Sequence, residues 1–70
     1  MDFSISVVDN FSKYTIIEDA GVNFTGLTEI LKLFSELDDE SRQEFVHSLR
    51  DHGERTHVGT DYTITTNVKA

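Results

Sequence analysis

The chain has 70 residues, thirteen Asp or Glu against six Lys or Arg, a formal net charge of -7 and no cysteine. A domain of this size buries only about 60% of the surface its unfolded chain exposes, which leaves little room for a catalytic cleft. So few bases among so many acids argue against a surface for the phosphates of DNA or RNA.

From Phe3 to Val7 apolar residues alternate with Ser4 and Ser6, the period of a half-buried strand. Asp9, Asn10 and Ser12 supply turn chemistry, and Tyr14 to Ile17 is again β-branched or aromatic, so residues 2 to 18 read as an antiparallel hairpin with a loop of four or five residues. Leu27, Ile30, Leu31, Phe34 and Leu37 then recur at helical spacing and predict a helix from Thr25 to Leu37. Asp38 or Asp39 is placed to cap a second helix, Phe45, Val46 and Leu49 give it a narrow apolar stripe, and Gly53 suits its end. Tyr62, Ile64, Thr66 and Val68 alternate with polar residues in a long final strand. Whether Arg55 to Val58 adds a short strand before the turn Gly59-Thr60-Asp61 is left open by the sequence.

These elements make one α+β domain of order ββααβ, a small antiparallel sheet (N-terminal hairpin plus C-terminal strand) covered on one face by a two-helix hairpin. The expected core is Phe3, Ile5, Val7, Tyr14, Ile16, Leu27, Ile30, Leu31, Phe34, Leu37, Phe45, Leu49, Tyr62 and Ile64. No apolar run reaches the roughly 20 residues of a membrane span. The opening Met-Asp-Phe-Ser lacks the regions of a signal peptide, so a cytoplasmic location is expected.

Little in the chain points to chemistry. His47, His52 and His57, with Asp51 and Glu54 between them, hold enough donors for a metal, but His47 and His52 are five apart and diverge by about 140° on a helix. A triad from Ser48, Asp51 and one histidine would need a rigid pocket and an oxyanion site, which no motif supplies. The four dispersed glycines form no phosphate loop. The expectation is a protein that is not an enzyme and carries no cofactor or metal.

Glu36, Asp38, Asp39, Glu40 and Glu44 crowd into positions 36 to 44. Acids there cap a helix and keep the surface soluble, and they also concentrate a field that selects positively charged partners. These five, with Phe11 as an apolar anchor, are the candidate partner-binding residues. In size and charge the chain resembles small acidic proteins of viruses and mobile elements that inhibit host nucleases or transcription proteins. That resemblance implies a small acidic binding module occupying the basic surface of a nucleic-acid-binding partner. The strand pair from Phe3 to Ile17 followed by Leu27 to Leu37 resembles the start of anti-sigma-factor antagonist domains over about half the chain. The phosphorylatable serine segment of that family has no counterpart here, and the chain is too short to complete its sheet. The alternative function is a homo-oligomeric structural or accessory protein, a homodimer through strand 62–68 if that strand lies at the sheet edge, where the only charge after Asp61 is Lys69; the sequence leaves equally open that this strand lies at the centre of the sheet.

Overall fold

The computed structural model describes residues 2–34 and 36–69, so Met1, Ala70 and Ser35, the last inside the expected first helix, lie outside the described residues. The order is β1 (Asp2–Asp9), β2 (Thr15–Val22), α1 (Phe24–Lys32), α2 (Asp39–His52), β3 (Glu54–Val58) and β4 (Tyr62–Lys69). All strand pairs are antiparallel in the spatial order β2-β1-β4-β3. The α+β class and the two helices on one sheet face are as expected, and residues 54–58 add a further strand.

Alternation in β1 turns Phe3, Ile5 and Val7 toward the helices. They meet Leu27 and Leu31 of α1, Phe45 and Leu49 of α2, and Ile64 of β4, all buried. The opposite sheet face carries Ser4, Ser6, Thr56, Thr63 and Thr65 in register, polar enough to stay wet without a covering layer. Helix α1 lies over β1 and β2 whereas α2 lies over β3 and β4. The helices thus sit on separate strand pairs instead of packing as a tight helical hairpin.

Three expectations are corrected. Tyr14 and Ile16 are 75% and 48% exposed, and Val22 is buried in their stead. The cause is two bulges in β2: Val8 pairs with Thr15 but Val7 with Ile17, and Ile5 with Asp19 but Phe3 with Val22. Each inserts a residue that shifts the alternation. Helix α1 stops at Lys32, after which the N–H groups of Phe34 and Leu37 bond to carbonyls three residues back. This tighter path still buries Phe34 and Leu37, with the Phe34 ring edge-on to Tyr62 at 5.0 Å. Finally, β4 is hydrogen-bonded on one side to β1 and on the other to β3, so strand 62–68 has no free edge through which to dimerise. The outer strands are protected: β2 is bulged and carries Glu18 and Asp19, and β3 is five residues long with Glu54 and Arg55. Among the described residues no helix is long and apolar enough to cross a membrane.

Candidate partner-binding surface

The first hairpin closes on Asp9, whose N–H donates to the Tyr14 carbonyl and whose own carbonyl accepts from Lys13. The Asp9 carboxylate also accepts from the N–H groups of Phe11 and Ser12, at 2.8 and 3.3 Å. Lys13 takes the left-handed conformation, φ 66°, that lets a short loop rejoin its strand. Asp9 therefore fixes the loop that carries Phe11, and Phe11 is 77% exposed at its tip.

The neighbouring turn is tied to this loop by Asn10. Its Nδ2 donates to the Gly59 carbonyl at 2.8 Å, its Oδ1 accepts from the Thr63 hydroxyl at 2.6 Å, and its backbone N–H donates to Asp61. Both sheet turns consequently lie at one end of the fold.

Glu36 belongs to the same end, but in a different role from the one its sequence suggests. One carboxylate oxygen accepts from the Thr60 N–H at 2.8 Å and the other from the Tyr62 N–H at 3.1 Å. His57 Nε2 stands 4.0 Å away, and the Glu36 side chain is only 20% exposed. The residue braces the link between the helices against the β3–β4 turn and is withdrawn from the set available to a partner.

The other four acids lie at the surface. Asp38 is the N-cap of α2: its Oδ1 accepts from the Ser41 N–H at 2.8 Å. That hydrogen bond, helped by the nearby Arg42 guanidinium, lowers the Asp38 pKa below its ordinary 3.8. Asp39 pairs with Arg42, which also donates to the Leu37 carbonyl at 2.8 Å. Glu40 and Glu44 are exposed one helical turn apart. Asp51, exposed seven residues beyond Glu44, continues the same helical face. Asp51 was absent from the candidate set because it stands outside the run of acids; the spacing 40, 44, 51 carries the signal.

The histidines are spread apart by the fold. His47 and His52 are exposed on α2, whereas His57 sits on β3 beside Glu36. Ser48 accepts a long, 3.4 Å hydrogen bond from Arg55 and bonds to no histidine. Comparison of the chain with protein-family models, with curated proteins and with solved structures gives no match.

Proposed function

We propose that this protein is a small acidic binding module whose partner is a basic protein, of the kind that itself binds nucleic acid. The contact surface is the exposed face of α2, with Asp38, Asp39, Glu40 and Glu44 continued by Asp51, and Phe11 is its apolar anchor. The observation that carries this reading is the shared end of the fold: the acidic start of α2 and the exposed Phe11 loop are held there together by the Glu36 and Asn10 hydrogen bonds. A fixed surface loses little conformational freedom on binding, and an aromatic anchor supplies affinity that rim charges alone do not. Carboxylates repeated along a helix attract lysine and arginine at long range, speed encounter and lose strength in salt.

The test is affinity capture from source-cell lysate at low and moderate salt, with the wild type beside a Glu40→Lys, Glu44→Lys variant. Neither residue is the N-cap, but Glu40 lies in the first turn of α2, so circular dichroism must show that the helix of the variant is intact. A nucleic-acid-binding protein that the wild type retains, that salt or competing DNA releases, and that the variant fails to hold supports the proposal. Equal capture by the variant sinks it. Recovery of this chain alone would favour the accessory homo-oligomer.

A further inference from the structure

Helices α1 and α2 leave a groove of about 490 Å³ between them. The facing stripes explain the gap, because Thr28 and Lys32 on one side meet Arg42, Gln43 and Arg50 on the other. Such polar and like-charged residues do not interdigitate as apolar ones do. The groove also reverses the sign of the molecule. Three of the six Lys and Arg line it, together with His47, and its one lining acid, Asp39, is already paired with Arg42. Among the described residues neither Lys32 nor Arg50 forms an ion pair.

Beside the groove is a second space of about 250 Å³ lined by Phe3, Phe24, Val46, Leu49, Val68 and Arg50. Phe24, Val46 and Arg50 line both spaces, so the two adjoin. The recess is mostly apolar and backs onto β1 and β4; Arg50 lines both spaces, whereas Lys32 and Arg42 line only the wider one. Phe24 is left 44% exposed between the two. An apolar recess with a few convergent charges at its mouth is the usual form of a small-molecule site.

We propose that this groove binds a single-chain amphiphile with an anionic headgroup, its tail in the recess and its head between Lys32 and Arg50. Charge complementarity sets the sign of the head, since a cationic amphiphile would meet the same side chains as repulsion. The mostly apolar lining of the recess favours one flexible tail over a peptide, whose backbone amides would find few partners there.

Titration of the ¹⁵N-labelled protein with decanoate, kept below its micelle concentration, tests the site, with decyl phosphate and decyltrimethylammonium in parallel. Saturable amide shifts at Thr28, Val46, Leu49 and Val68 with either anion are expected. Lys32→Glu with Arg50→Glu, both at exposed positions, should weaken binding by about tenfold or more, the scale of a lost charged contact. Val46→Trp should fill the recess and abolish binding while the remaining spectrum persists. Equal binding of the ammonium amphiphile, unsaturable or scattered shifts, or an unaffected double variant would overturn the proposal. So would groove shifts that follow protein concentration without ligand, because a second copy would then be the occupant.

Discussion

The carboxylate of Glu36 fills the space that a side chain on Gly59 would need. A β-carbon there would stand 2.6 Å from the Glu36 carboxyl carbon and 2.8 Å from His57 Nε2. Gly59→Ala must therefore displace the carboxylate and release the N–H groups of Thr60 and Tyr62. Gly59→Ala and Glu36→Ala are each expected to lower stability by about 1–2 kcal/mol in urea denaturation. Because both break one contact, the double variant should cost little more than either alone. Additive losses would show that the two residues act independently.

Acid should weaken the start of α2. The Asp38 pKa is lowered in the folded chain, so its carboxylate supports folding above the ordinary value of 3.8. That support fades as pH falls through the lower, folded value. Asp38→Asn keeps a capping oxygen and removes the titration, whereas Asp38→Ala removes both. Helical circular dichroism should accordingly fall more steeply with acid in the wild type than in Asp38→Asn, and Asp38→Ala should melt lowest at neutral pH. Identical acid profiles for all three would assign the cap no role.

Asn10 joins two turns that are distant in sequence, and Asn10→Ala should cost about 1–2 kcal/mol by leaving Gly59 and Thr63 without their partner. Hydrogen exchange gives the sharper check. Amides of the 10–13 and 59–61 turns should exchange faster in the variant, while those around the α1 start, capped locally by Asn23, keep their rates. Uniform acceleration would mean that Asn10 holds up the whole fold.

The bulges of β2 predict an inversion of the simple alternating pattern. Ile16→Thr should change stability by no more than about 0.5 kcal/mol, since its side chain is half in solvent. Val22→Ala should cost about 2 kcal/mol for lost methyl burial and the gap left behind. The reverse ranking would mean that Ile16 faces the core.

What the sequence discloses depends on how local the cause is. A cap at Asp38 or Asp39, which the structure places on Asp38, and Gly53 at the helix end, with φ 76°, follow from chemistry within one helical turn and are legible in the sequence. So is β1, whose alternation is uninterrupted. The core positions in β2 are not, because a bulge is fixed by the partner strand. The strand at 54–58 stayed open because its inward residues, Arg55 and His57, are polar and face α2 and Glu36 across the sheet edge. The end of α1 is misleading because Phe34 and Leu37 keep helical spacing while their N–H groups bond to carbonyls three residues back.

The candidate surface divides along the same line. Glu40 and Glu44 stand outside the internal hydrogen bonds that occupy Glu36, yet all three looked alike as members of an acidic run. The role of Glu36 as a brace depends on backbone N–H groups 24 and 26 residues further on. Nothing near it in the chain announces them.

The sheet's central seam joins its first strand to its last, with Asp2 opposite Lys69. During synthesis the β1–β2 hairpin and α1 emerge with the inner edge of β1 unmatched, and Phe3, Ile5 and Val7 lack half their cover until β4 leaves the ribosome. Closure of that seam is a late, long-range event and so a slow one. Before it happens, the exposed edge can pair with another nascent chain. The braced end of the finished fold is thus preceded by an interval in which the chain is open to the wrong neighbour, and yield on expression should depend on how crowded that interval is.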